Sequence, residues 1–155
     1  MKFDFLNPGL LREGDLQLDL VEKRAVSRLR PEYPPSYNFV MRSPGDRRQR
    51  GRFSLRLGDS DFIERYAGHI GYSVEQPFRG RRYAARSCRL IVPLARRHGF
   101  DYVWLTCNPD NWASRRSCEL AGAQYVETVP LPRDTDMYRA GERYKRRYRL
   151  DVRAS

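Results

Sequence analysis

The sequence contains few of the residues that build metal and disulfide sites. It has three cysteines, Cys88, Cys107 and Cys118, in no C-x-x-C spacing, and only two histidines. An odd number of scattered cysteines argues against both a disulfide framework and a zinc site, so we expect no bound metal. The same scarcity favours a reducing, cytoplasmic environment.

Long apolar runs are also missing. No stretch approaches the roughly 20 residues that a transmembrane helix needs, and the first ten residues lack the apolar core of a signal peptide. We therefore expect a chain without a membrane span or a leader. Its 155 residues are 40% hydrophobic and 12% aromatic, which predicts one folded domain over residues 1–155.

Lysine is scarce although the chain is strongly basic. The formal net charge is +11, and only Lys2, Lys23 and Lys145 among the 30 basic residues are lysines. Arginine binds phosphate groups in a bidentate manner, which suits a nucleotide, a nucleic acid or a phosphorylated cofactor. The alternative is that most of these arginines are solvated surface residues.

The spacing of apolar residues predicts an α/β fold. Alternating or short apolar runs predict strands at 16–21, 37–42, 53–57, 68–74, 102–107, 125–129 and 144–152. Helical spacing predicts one helix that opens at 79–84 and stops before Gly99, and another over 112–121, capped by Asn111. The basic run 47–52 is predicted to extend a solvated hairpin loop. Three prolines between 24 and 38 allow only a short helix there.

The turn between the strand at 68–74 and the following helix predicts an anion site. The first amides of a helix have no partners within it, and the helix dipole makes that end positive. Placed after a strand, such amides bind phosphate without any side chain, and Gly80 permits close approach. The glycine spacing matches neither a Walker loop nor G-x-G-x-x-G.

Two short stretches then carry a family resemblance. Arg79 and Ala84 match the first and last positions of the pattern Q/R-x-x-G-x-G/A, whose central glycine is Arg82 here. Asn111 and Ser114 match a second pattern, whose tyrosine is replaced by Cys118. With the order of elements, these stretches resemble the GNAT superfamily of N-acetyltransferases, which transfer an acetyl group from acetyl-CoA to an amine.

The resemblance implies a fold and a cofactor. It implies a mixed central sheet of about six to seven strands flanked by helices, with a reduced helical segment between the first two strands. It also implies that acetyl-CoA binds at the end of the fourth strand, at the pyrophosphate turn and at the second helix. The implied cofactor-binding residues are Tyr72, Ser73, Val74, Arg79, Gly80, Arg81, Arg82, Tyr83, Ala84, Ala85, Asn111 and Ser114.

Acetyl transfer requires a neutral amine, donors for an oxyanion and a proton for the departing thiolate. We consider His69 as the base, and Cys118 and Tyr72 as donors. A structural histidine and a core cysteine are the alternatives, and Glu64 and Glu75 are weaker candidates for the base. The site can also rely on positioning, with solvent taking the proton.

For the acceptor we expect the primary amine of a small metabolite or antibiotic. The short, proline-rich segment 24–38 predicts an open groove, completed by residues 59–66, by the loop 130–143 or by a second subunit of a homodimer. Carboxylates at Asp59, Asp61 and Glu64 would favour a cationic amine. Two alternatives remain: a basic nucleic-acid-binding module, against which no RNP pattern or recognition helix is present, and a GNAT-like chain that binds acyl-CoA without catalysis.

Overall fold

A computed structural model describes residues 4–153, which form eight strands, three α-helices, one π-helical segment and one 3-10 turn. The strands are β1 (Leu11–Glu13), β2 (Leu16–Arg24), β3 (Ser36–Ser43), β4 (Asp46–Arg56), β5 (Ile70–Val74), β6 (Tyr102–Cys107), β7 (Gln124–Pro130) and β8 (Tyr144–Asp151). The helices are α1 (Tyr83–Arg97), α2 (Trp112–Leu120) and α3 (Asp136–Arg139), with the π-helical segment at Phe62–Ala67 and the 3-10 turn at Gln76–Phe78. The α/β class predicted from the sequence is confirmed.

The first five strands form an antiparallel sheet in chain order. The basic run predicted as a loop lies within β4, because the turn after Ser43 is tight and Ser43 already pairs with Asp46. Gly51 is buried in this strand and pairs with Met41 on one side and Val74 on the other. The hairpin ladder therefore starts at the turn and has one register shift, between Met41 and Ser43.

The other three strands form a second antiparallel sheet, in the order β6-β8-β7. The predicted final strand is present, and it lies between the two strands that precede it. Its central position explains why Tyr148, which pairs with Leu105 of β6 and with Tyr125 of β7, is fully buried.

Helix α1 covers the first sheet with the face that the sequence predicted. Cys88, Ile91 and Ala95 are buried in the same core cluster as Phe39, Phe53 and other residues of β3 and β4. Pro93 lies within the helix on an exposed position, and the helix continues to Arg97. No helix in residues 4–153 has the length and apolar character needed to span a membrane.

Strands β5 and β6 separate instead of forming a ladder. The only backbone hydrogen bond recorded between the two segments joins the amide of His69 to the carbonyl of Trp104, at 2.8 Å within the described chain. Beyond that point β5 pairs with β4 and β6 pairs with β8. The edge of β5 that faces β6 is thereby open, at the strand where the resemblance places the cofactor.

The connection between β2 and β3 has turns and bends at residues 25–35 and no helix. This agrees with the predicted reduced segment. Tyr33 from this connection contacts Phe62 edge-to-face at 5.2 Å and donates a hydrogen bond to Asp136 at 3.0 Å. Three separate segments therefore meet beside the first sheet.

Candidate active site

A cleft of about 420 Å³ lies between the end of β5 and the starts of α1 and α2. The predicted cofactor residues that line it are Tyr72, Ser73, Val74, Arg79, Gly80, Arg82, Tyr83, Ala84, Asn111 and Ser114. Arg81 and Ala85 are not in its lining. Phe78, Ala113 and Ser117 line the cleft without having been predicted. Ser117 follows Ser114 by three residues, so helical spacing from the Asn111 pattern could have identified it.

The start of α1 has the backbone conformation of an anion site. Arg82, which takes the place of the family glycine, has φ 62° and ψ 28°, the left-handed conformation that usually requires glycine. Its side chain is exposed and does not cap the helix. A Cβ built on Gly80 would meet nothing within 4 Å, so this side of the turn is open. The first-turn amides therefore remain available to a phosphate.

Two other arginines near the cleft donate hydrogen bonds to backbone carbonyls of this chain. Arg79 donates from Nε to the carbonyl of Val74 at 3.0 Å, which fixes the turn after β5. Arg115 stacks on Trp112 and donates to the carbonyl of Pro109 at 3.0 Å. Arg82 also lines the cleft, and its guanidinium makes no hydrogen bond or ion pair with any other residue of 4–153.

The hydroxyl of Tyr83 makes two hydrogen bonds within the protein. It accepts a hydrogen bond from Nη1 of Arg50 and donates one to Asp15, both at 2.7 Å. The ring is buried. Tyr83 thus lines the cleft with its ring, while its hydroxyl joins α1 to β4 and to the turn between β1 and β2.

Helix α2 brings a group of polar atoms to Tyr72. The side chain of Asn111 caps the helix by accepting from the amide of Ser114 at 3.1 Å. The Ser114 hydroxyl lies 2.7 Å from the hydroxyl of Tyr72, and Sγ of Cys118 lies 4.0 Å from it. Burial raises the pKa of Tyr72 above its usual value. A hydrogen bond with Cys107, together with burial, raises the pKa of Cys118. Both groups hold their protons at neutral pH.

His69 lies at the separation of β5 and β6, and both of its ring nitrogens are engaged. Nδ1 accepts from the amide of Trp104 at 2.9 Å, so Nε2 carries the proton and donates to the carbonyl of Gly58 at 2.6 Å. Burial lowers the pKa of this histidine to about 4. The geometry argues against the expectation that His69 is a base. Across residues 4–153, the His, Cys, Asp and Glu side chains form no group of three that could hold a metal ion.

A second cavity, of about 600 Å³, lies on the opposite face of the first sheet. We call it the groove, and its lining is Arg24, Ala25, Ser27, Arg30, Tyr33, Pro34, Ser36, Asn38, Ser54, Arg56 and Asp136. The expected carboxylates Asp59, Asp61 and Glu64 do not line it. Asp59 and Glu64 border a different cavity beside Phe100. The loop 130–143 contributes Asp136 to the groove, as one of the expected ways of completing it.

The comparisons agree with this arrangement. The acetyltransferase (GNAT) domain family matches residues 12–124. No significant match to a curated protein was found.

Solved structures of acetyltransferases share the fold at low sequence identity. RimL, an alpha-N-protein acetyltransferase of ribosomal L7/L12, superposes with a TM-score of 0.66 at 14% identity, over 94% of this chain and 99% of that one. A putative ribosomal-protein-serine acetyltransferase from Vibrio cholerae gives 0.64 at 14% identity, over 97% and 99%. The self-immunity acetyltransferase MccE, solved with acetyl-CoA and AMP, gives 0.59 at 12%, over 75% of this chain. The chain spans 61% of the length of that MccE structure.

The residues present fit the cofactor of this family. An open strand edge, uncapped helix amides and a free arginine meet at one cleft, which is the donor set that a diphosphate and its amide-containing arm require. The family match covers most of the chain. The chain therefore belongs to the GNAT family of acetyltransferases, which use acetyl-CoA as the acetyl donor.

Proposed function

We propose that the protein is an N-acetyltransferase that acts on the primary amine of a small molecule, by direct attack within a ternary complex. The observation that carries the proposal is that β5 separates the cleft from the groove. Tyr72 lines the cleft, while the neighbouring Gly71 lies against Arg56 of the groove. Successive residues of a strand face opposite sides of the sheet, so the two substrates reach the same strand from opposite faces. The free thiols of all three cysteines support a cytoplasmic location.

Acetyl-CoA supplies the acetyl group as an activated thioester. The residues that would hold it are the first-turn amides of α1, Gly80, Arg82, the open edge of β5 at Ser73 and Val74, and the Asn111 end of α2. Amides on an open strand edge are also the donors that an oxyanion requires.

Tyr72 is the proposed acid for the departing sulfur. The family pattern has a tyrosine at the position of Cys118, and the Tyr72 hydroxyl lies 4.0 Å from that cysteine. The Tyr72 phenol of β5 therefore lies next to the α2 position that holds a tyrosine in the family pattern and Cys118 here. Burial raises the pKa of Tyr72, so the phenol is in its protonated form and presents Oη–H to the departing thiolate. Ser114, at 2.7 Å, orients that hydroxyl.

The amine proton is assigned to solvent. His69 has no free ring nitrogen, and its place at the separation of the strands makes it a positioning residue. Cys118 is 1% exposed and supports Tyr72 by contact. An open groove gives the acceptor amine direct access to water, which needs no side-chain base.

The test is a free-thiol release assay over a panel of amines. We expect Tyr72→Phe to lower kcat about a hundredfold, since a positioned acid contributes at least that factor, while the affinity for CoA stays unchanged. Tyr144→Phe, a change at an exposed tyrosine, is the matched control. Cofactor binding without thiol release on any amine would instead identify a non-catalytic acyl-CoA-binding protein.

A further inference from the structure

The groove contains three arginines that differ in how their charge is balanced. Arg24 forms an ion pair with Glu22 at 3.2 Å. Arg30 pairs with Glu32 at 2.9 Å and with Asp136 at 2.6 Å. Arg56 has no carboxylate of the described residues within 4.0 Å. The single carboxylate in the lining, Asp136, is already bound by Arg30 and Tyr33.

Arg56 is also the most enclosed of the three. Its Nη1 donates to the carbonyls of Ala67 and Gly68, at 3.1 and 2.9 Å. No acceptor among residues 4–153 is recorded for Nη2 or Nε. Burial of the guanidinium lowers the pKa of Arg56. A partly buried cation with free donors and no carboxylate gains more from an anionic ligand than an exposed ion pair does.

The position of Arg56 relates this cation to the reacting end of the groove. A Cβ built on Gly71 would lie 3.1 Å from Nη2 of Arg56, so the guanidinium rests directly over β5. Asn38 and Ser54, joined by a hydrogen bond of 2.8 Å, also line the groove. An acceptor that contacts Arg56 therefore has its remaining atoms beside β5, at the residue that precedes Tyr72.

We propose that the groove selects primary amines that also carry an anionic group, a carboxylate or a phosphate, and that Arg56 binds this anion. The inference rests on the proposed function and adds the substrate class. It replaces the expectation that carboxylates beside the groove favour a cationic amine, because the groove presents arginines where carboxylates had been expected. Arg56 acts here as a specificity residue and takes no part in proton transfer.

The experiment compares matched amines that differ in their anionic group. The probes are β-alanine, 2-aminoethyl phosphate, ethanolamine and ethylamine, each assayed by thiol release. We expect kcat/KM to be about ten- to a hundredfold higher for the anionic members, the range for a charge-assisted pair. Preference for β-alanine assigns the anion to a carboxylate, and preference for aminoethyl phosphate assigns it to a phosphate.

Variants test whether Arg56 is responsible. Arg56→Gln should remove the preference, mainly by raising KM for the anionic amines, so that all four probes give similar kcat/KM. Arg56→Lys, which keeps the charge without the planar fork, should retain part of the preference and covers the case in which the glutamine variant does not fold. Arg65→Gln, at an exposed arginine outside the groove, should behave as wild type. Calorimetric titration of the CoA-bound protein with β-alanine gives a readout that is independent of turnover.

The outcomes separate the two proposals. Equal kcat/KM for anionic and neutral amines, or an anion preference that survives in Arg56→Gln, overturns the role of Arg56 while leaving the transferase intact. Absence of thiol release with every amine, despite cofactor binding, overturns the transferase and with it the substrate class. Loss of the preference in Arg56→Gln alone, with normal CoA binding, supports the assignment.

Discussion

At the residue scale, His69 makes two hydrogen bonds with the backbone of Trp104, as a paired residue in a β-ladder would. Its amide donates to Trp104, and its ring then accepts from the amide of the same tryptophan. One side chain thus satisfies a backbone donor that would otherwise be exposed at the separation of β5 and β6, which lets the two strands diverge without a buried unpaired amide.

This arrangement predicts a pH dependence of stability. The folded pKa of His69 is lowered from 6.5 to about 4, so the unfolded chain binds the proton first as the pH falls. The contribution is present above pH 6.5 and is lost between pH 6.5 and 4, by about 3 kcal/mol in total. Denaturant unfolding at pH 7 and pH 5 should show wild type losing more free energy than His69→Gln, which bears no titrating ring. Equal losses in the two proteins would contradict the assignment.

Arg82 shows where residue patterns stop being informative. The turn, the following helix and the family resemblance could be predicted from residues 79–84, because a strand, a glycine and a helical apolar face occur in the right order. The left-handed conformation of Arg82 could not, since non-glycine residues adopt it at a cost of about 1–2 kcal/mol. The backbone at Arg82 has the left-handed conformation that a glycine would adopt easily, and the Arg82 side chain is exposed to solvent.

At the scale of elements, β5 packs tightly against β4, the strand with which it pairs. Strand β4 approaches so tightly that a Cβ on Gly51 would lie 2.5 Å from the Ser73 carbonyl and 2.7 Å from Sδ of Met41. Since Ser73 and Val74 line the cleft, the absence of a side chain at Gly51 sets the position of the cofactor strand.

Gly51→Ala should therefore act on the site through the strand. We expect a loss of about 1–3 kcal/mol in unfolding free energy from overpacking, and a weaker affinity for CoA because the end of β5 must move. Gly45→Ala is the control: it also introduces strain, at φ 78°, but has nothing within 4 Å of its Cβ. Calorimetric CoA titration of both variants checks this. Equal CoA affinities would show that β5 is positioned by other contacts.

Strand order is the element-scale feature that local patterns miss. Alternation in 144–152 predicts a strand, and the structure has one there. That this strand lies between β6 and β7 depends on contacts between distant parts of the chain, such as Tyr125 opposite Tyr148. The proposed anionic preference of the groove was missed for the same reason, because Arg24, Arg30 and Arg56 line one cavity only in the folded chain.

On the scale of the whole molecule, the question is what the excess of arginine does. Many of the guanidinium groups stack on this chain's own aromatic rings; such pairs are Arg115 on Trp112, Arg143 on Tyr138, Arg146 on Tyr125, Arg147 on Trp104 and Arg149 on Tyr102. Single-strand binding needs aromatic faces that are free to stack on bases. Here the rings and the cations are largely occupied by each other.

Thermal shifts with two ligands separate the remaining functions. Acetyl-CoA at about 100 times its Kd should stabilise the protein by about 2.7 kcal/mol, or roughly 5–10 °C in Tm for a chain of this size. A protein of net charge +11 will bind duplex DNA through its surface as well, but that shift should vanish between about 50 and 200 mM salt. The acetyl-CoA shift should persist, because helix amides in direct contact with a phosphate are screened less than exposed surface charges. A salt-resistant shift with DNA and none with acetyl-CoA would reverse the functional conclusion, since the same arginines would then be serving a nucleic acid.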